Sequence, residues 1–173
     1  MKTLIGVIGG SSANVEALRI AYEVGKEIAK REYILINGGK GGVMEASAKG
    51  AKALGGITIG LLPGDSIDEA NKYIDIAIPT GLGHLRNGIV SRAAQGVIVI
   101  NGGAGTMSEI AFAWIYNKPI VAMKNSGGWA EKVASTRIDE KRPDKIYAAE
   151  TAQEALDWIE NELNSSINNK KKL

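Results

Sequence analysis

Arg86 and Glu109 stand twenty-three residues apart, and each is of a type and at a place that could do chemistry. Arg86 lies in "GLGHLRNGIVSRAAQ" (81–95), at the start of a helical pattern, where a cation opposes the helix dipole. An arginine that clamps a phosphate or fixes a carboxylate accounts for it; the plain alternative is a surface arginine. Glu109 follows "NGGAGT" (101–106) and falls three positions after Thr106, so both come near one face of a first helical turn. A carboxylate beside an anion site is electrostatically unhelpful unless it serves as a general acid or base or grips a ribose hydroxyl. The ordinary account is a glutamate favoured by the helix dipole. His84, the single histidine, is either a member of the same site or a structural residue of the turn before Arg86.

Three glycine-rich turns accompany these residues. "LINGGKGGVMEA" (35–46) and "VINGGAGTMSEI" (99–110) match in register, each reading strand, Asn-Gly-Gly-x-Gly, three residues, Glu, helix. "VIGGSSANVEA" (7–17) is a looser relative. Glycine allows close approach of a ligand to the backbone, and a glycine loop opening a helix leaves amide N–H groups that attract an anion, typically phosphate. One such loop is as well explained by a tight turn; three at one sheet edge favour a phosphate or nucleotide site. The candidate binding residues are therefore Gly9, Gly10, Ser11, Gly38, Gly39, Gly41, Gly42, Asn87, Gly102, Gly103, Gly105 and Thr106, with Thr106 offering a hydroxyl. The pattern is not a dinucleotide fingerprint, since Gly103, Gly105 and Ser108 give GxGxxS, nor a P-loop, since no GK[ST] occurs.

The elements that must position these turns are legible. Short apolar runs at 4–8, 33–36, 56–62, 74–78, 96–100, 119–123 and 145–149 read as strands, most of them apolar on both parities, as strands covered on two faces must be. Helical patterns at 13–31, 42–54, 84–95, 106–117 and 151–164 lie between them, the last opening with Thr151 and Glu154 as a capping box. The alternation predicts one α/β domain, 1–165, with a doubly wound, mostly parallel sheet of about seven strands. Ligands of such sheets bind beyond the carboxyl ends of the strands. Residues 166–173 read as a solvated, disordered lysine-rich tail.

Composition limits the chemistry. Formal charge is +2, and without the three lysines of "KKKL" the count is 18 basic against 19 acidic residues, so no basic nucleic-acid face is indicated. There are no cysteines and one histidine, which rules out disulfides, thiolate sites and multi-histidine metal sites; neither a metal nor a bound cofactor is expected. No apolar run approaches the roughly 20 residues of a membrane span, and the reading is a cytoplasmic protein that binds no membrane. "FAWIYNKPI" (112–120), with Trp114, Ile115 and Tyr116 in succession, carries more large apolar groups than one helix face buries, so self-association is expected.

"GGAGTMSE" (102–109) fits GGxGTxxE and thereby resembles the LOG, or lysine-decarboxylase-like, family. The likeness covers roughly residues 4–123. It implies a Rossmann-like fold, a homodimer or homotetramer, and hydrolysis of cytokinin riboside 5′-monophosphates to base and ribose 5-phosphate. Its catalytic pair, an arginine in a motif like MHxRK and the glutamate of PGGxGTxxE, falls on Arg86 and Glu109. Asn101 stands for the motif's proline, Asn87 for the lysine after the arginine, and Ser108 for the first of two adjacent glutamates. "RN" (86–87), "GGVMEA" (41–46) and "GTMSEIA" (105–111) resemble the branch that includes the molybdenum-cofactor carrier protein, which binds a phosphorylated pterin. Two functions follow: a nucleoside 5′-monophosphate phosphoribohydrolase, or a non-catalytic carrier or sensor of a phosphorylated cofactor.

Overall fold

The computed structural model describes residues 2–170. Strands β1 (Leu4–Gly9), β2 (Ile34–Asn37), β3 (Ile57–Leu62), β4 (Ile76–Pro79), β5 (Gly96–Ile100), β6 (Ile120–Met123) and β7 (Tyr147–Ala149) form one sheet in the order β4-β3-β2-β1-β5-β6-β7. Every neighbouring pair is parallel, so the sheet expected to be mostly parallel is wholly so. Helices α1 (Val15–Lys30), α2 (Val43–Ala53), α3 (Arg86–Ala93), α4 (Ala104–Ile115), α5 (Gly128–Val133) and α6 (Ala152–Lys170) connect and flank the strands.

The two-faced apolar runs have a direct cause. Along β5, Ile98 and Ile100 join a core with α1, α2 and α6, whereas Val97 and Val99 join a second core with α3, α4 and α5. Successive side chains point to opposite faces, so a strand covered on both must be apolar throughout.

Helix starts follow their first residues. Asn14 caps α1 by accepting from the Ala17 amide at 2.8 Å. At α6 the Thr151 hydroxyl accepts from the Glu154 amide at 3.2 Å, while the Glu154 carboxylate accepts from the Glu150 amide at 2.8 Å. The helix expected over 151–164 extends to Lys170, and residues 171–173 of the expected tail lie outside the described residues. The helix expected over 84–95 is preceded by a 3₁₀ turn, Gly83–Leu85, and begins at Arg86. Helix α4 begins at Ala104, two residues early, because Gly103 takes the N-cap position; Glu109 consequently sits in the second turn rather than the first. Helix α5 was not anticipated: "GGWAEKV" is short and opens on two glycines that do not look helical.

Helices α1 and α2 cross at backbone contact. A methyl group on Gly25 would lie 1.9 Å from the Ser47 carbonyl oxygen, and one on Gly50 would lie 2.0 Å from that of Tyr22. Gly25→Ala is therefore expected to force the helices apart and lower stability by about 3 kcal/mol, roughly 6–12 °C in Tm. Thermal unfolding followed by circular dichroism measures it, and an unchanged Tm contradicts so tight a crossing.

Candidate functional site

The chain leaves β1 toward β2, β3 and β4 on one side of the sheet and returns to the other side through β5. The gap beyond the ends of β1 and β5 is thus a topological switch point, where two connections diverge and leave a crevice. A cavity of about 370 Å³ lies there. The β1 turn contributes Gly9, Gly10, Ser11 and Ser12; the start of α4 contributes Gly103, Ala104, Gly105, Thr106 and Glu109; α3 and its preceding turn contribute His84, Arg86 and Asn87. Met44 of α2 completes the lining.

The third turn enters differently. Gly38, Gly39, Gly41 and Gly42 do not line the cavity, nor does Gly102. Gly38 makes room for the arginine, since a methyl group there would meet Arg86 Nη2 at 2.3 Å. Gly42, at φ +66°, packs on the β1 turn: a methyl group would come within 2.3 Å of the Gly10 carbonyl oxygen, which accepts from the Val43 amide at 2.9 Å. The β2 turn is therefore a support beneath the site. Each registered turn is braced by its asparagine, but on a different amide: the Asn37 side chain accepts from the Gly39 amide, two residues on, and the Asn101 side chain accepts from the Gly102 amide, the next residue.

Asn101 adopts φ +56°, and its amide donates to the Ser126 hydroxyl at 2.8 Å. Proline has neither that φ nor an N–H, so this turn cannot be built with the proline of the LOG motif. The unanticipated α5 holds it: the amides of Trp129 and Ala130 donate to the carbonyls of Gly102 and Asn101, each at 3.0 Å. Ser12, Met44 and Ala104 are the lining residues that sequence reading passed over. Ser12 and Ala104 adjoin turns already singled out, but nothing local distinguishes Met44 from a core methionine.

Arg86 and Glu109 come together as a buried pair, 8% and 6% exposed, with Nη1 3.4 Å from Oε1. Arg86 Nη1 also donates to Asn87 Oδ1 at 2.5 Å, and Nη2 to the Gly38 carbonyl at 3.4 Å. The buried Nε has no partner among the described residues. Asn87 in turn donates from Nδ2 to the Ser108 hydroxyl at 2.9 Å and to the Gly105 carbonyl at 3.4 Å. Burial pushes Glu109 up to about 7, against the nearby guanidinium, which acts to lower it. Burial likewise lowers Arg86 from its ordinary value, though a guanidinium remains cationic. The N-cap of α4, Gly103, has no side chain to cap the helix, and Gly103, Ala104, Gly105 and Thr106 line the cavity, so the partially positive end of the helix lies against it. Chemically, the crevice combines an anion-attracting helix start, one cation, and one carboxyl group that shares its proton with solvent near neutrality.

The raised Glu109 value makes stability depend on pH. Between about pH 4.5, where the unfolded chain loses this proton, and about pH 7, where the folded one does, stability falls as pH rises. Relative to Glu109→Gln, which has no such proton, the wild-type protein should lose up to about 3 kcal/mol of stability from pH 4.5 to pH 8. Parallel urea titrations of the two proteins at several pH values measure the difference; a gap that stays constant contradicts the burial of an ionising group.

A wholly parallel, doubly wound domain whose glycine turns meet a buried Arg–Glu pair at the switch point is a Rossmann-like domain of the LOG type. The chain belongs to the SLOG cluster4 family, whose model matches residues 2–156. It is 48% identical over 120 residues to an uncharacterised protein of Archaeoglobus fulgidus, covering 69% of this chain and 79% of that one. It is 31% identical over 166 residues to a cytokinin riboside 5′-monophosphate phosphoribohydrolase of Mycobacterium tuberculosis, covering 87% of this chain and 84% of that enzyme. The molybdenum cofactor binding protein of Rippkaea orientalis has the same fold, with TM-score 0.85, 32% identity, and coverage of 94% of this chain and 98% of that one. No helix among the described residues is long and apolar enough to cross a membrane.

Proposed function

We propose that the protein binds a phosphorylated, nucleotide-like small molecule at the switch-point crevice and acts on it as a nucleoside 5′-monophosphate phosphoribohydrolase. The observation that carries this reading is the buried Arg86–Glu109 pair facing a cavity that the uncapped start of α4 also lines. The amides around Gly103, Gly105 and Thr106 hold the phosphate, aided by Gly10 and Ser11 across the crevice, and Arg86 either joins them or orients the carboxylate. Water adds to C1′ of the ribose as the bond from C1′ to the base nitrogen breaks. Glu109 takes a proton from that water, the departing base nitrogen gains one from Glu109 or from solvent, and one water is consumed as base and ribose 5-phosphate form. A carboxyl group poised near neutrality suits this exchange. Incubation with a panel of nucleoside 5′-monophosphates, with released base followed by chromatography, tests it; no base from any member refutes the catalytic reading.

A second reading has its own support. The neutral Asn87–Ser108 pair stands where the LOG motif has a lysine and a glutamate, and the Rippkaea orientalis protein is described as a molybdenum cofactor binding protein. A carrier would hold a phosphorylated pterin at the same amides without breaking a bond. Binding of a phosphorylated ligand with no product over hours is its expected signature.

The protein is also proposed to act as a homodimer or homotetramer. Leu85 and Ile89 on one side and Met107 and Ile115 on α4 are exposed, Leu85 at 76% and Ile115 at 66%, while Trp114 of the same apolar run is buried. Light scattering at micromolar concentration should give a multiple of 18.3 kDa, and Ile115→Glu should shift it toward the monomer. A wild-type mass of 18.3 kDa overturns the assignment.

A further inference from the structure

The two positions at which the sequence departs beside the reacting pair, 87 and 108, touch one another: Asn87 Nδ2 donates to the Ser108 hydroxyl at 2.9 Å. The other end of the same carboxamide is closer still to the arginine, with Arg86 Nη1 donating to Asn87 Oδ1 at 2.5 Å. The distance from that same nitrogen to Glu109 Oε1 is 3.4 Å, long for a charge-assisted hydrogen bond. Asn87 is 4% exposed, and its Nδ2 lies within reach of the Gly105 carbonyl as well. Both polar ends of the amide are thus committed inside the protein.

We propose that Asn87 is a positioning residue which, anchored by Ser108 and the Gly105 carbonyl, ties the Arg86 guanidinium back from Glu109. A guanidinium free to turn would take the carboxylate as its better partner, because an ionised acceptor binds an N–H donor more strongly than an amide oxygen does. The amide oxygen holds Nη1 only if the amide itself cannot rotate, and Ser108 and Gly105 supply that restraint. The consequence is a carboxylate with one long contact to its cation instead of a closed ion pair, leaving it available to a ligand. The Ser108 hydroxyl donates to the Gly105 carbonyl at 2.6 Å, so the anchor is tied to the first turn of α4 and to the backbone of the glycine turn. A neutral pair does this without adding a charge beside Arg86. A lysine at position 87, by contrast, would supply no acceptor and would place a second cation against the guanidinium.

The inference rests on reading Arg86 and Glu109 as the working pair, but its test uses the free protein and no ligand. It therefore stands or falls separately from any hydrolytic activity. The Glu109 carboxyl is followed by carbon-13 NMR through a pH titration, with Glu109→Gln identifying its signal. Arg86 on α3 and His84 on the turn before it are the other titratable groups that line this cavity, and neither is altered. Asn87→Ala should release Nη1 to Glu109 and lower the midpoint by about one pH unit, as a closer opposite charge does. Ser108→Ala should lower it by less, and adding Ser108→Ala to Asn87→Ala should produce no further shift, because the serine acts through the asparagine. A purely structural role lowers Tm without this ordered pattern of midpoints. An unchanged midpoint in folded Asn87→Ala, or shifts that add in the double variant, overturn the proposal. Should Asn87→Ala not fold, the half-buried Ser108→Ala decides alone: a lowered midpoint supports the inference, and an unchanged one refutes it.

Discussion

On the proposed hydrolytic function, Glu109→Gln is expected to leave affinity for a nucleoside 5′-monophosphate nearly intact and to lower turnover roughly 10²–10⁴-fold. The amide keeps the shape of the carboxyl group and can still accept a hydrogen bond from Arg86, whose Nη1 lies 3.4 Å away. It can neither take a proton from water nor carry the charge that a developing oxocarbenium ion needs. Because Glu109 is buried and titrates near 7, turnover in the wild-type protein should fall as pH drops below about 7, where the general base is protonated. Chromatography of released base, with calorimetry for affinity, separates the outcomes. If the protein is a carrier, the wild type releases no base and the variant changes affinity alone. Wild-type turnover that survives the substitution intact defeats the assignment of Glu109 under both readings.

Arg86→Ala is expected to weaken binding itself. Loss of a charge-assisted hydrogen bond costs about 1.5–3 kcal/mol, which weakens the tightest monophosphate of the panel by roughly 10–150-fold in Kd. The side chain also fills space shaped for it: Gly38 lacks a side chain where the guanidinium lies, and Asn87 and Gly38 supply its acceptors. Arg86→Lys should recover little, since an ammonium cannot reproduce a planar group that reaches Asn87, Glu109 and Gly38 at once. Removing the cation leaves Glu109 buried without a counter-charge, so its proton should be held more firmly than in the wild type. Calorimetry measures the affinity, and an unchanged Kd in Arg86→Ala removes the arginine from the ligand site.

What the sequence determined by itself is what short-range chemistry encodes. A run such as "GVIVI" is apolar on both parities because both faces of β5 are covered, and that demand is written into five consecutive residues. The registered glycine turns, the capping residues of α6, and the spacing of Arg86 from Glu109 are likewise properties of the chain read in order. What the tertiary structure decided is which of these signals share a place. The β1 and β5 turns face each other because the sheet order places β5 next to β1, a pairing such as Ile5 with Gly96 that no local pattern records. The β2 turn has an equally strong glycine signature but supports the crevice, because Gly38 and Gly42 are spent on fitting Arg86 and Gly10. Asn87 and Ser108 read as two separate departures until α3 and α4 pack and put them in contact. The raised value of Glu109 belongs wholly to the folded state, since burial is its cause and an unfolded carboxylate has water on every side.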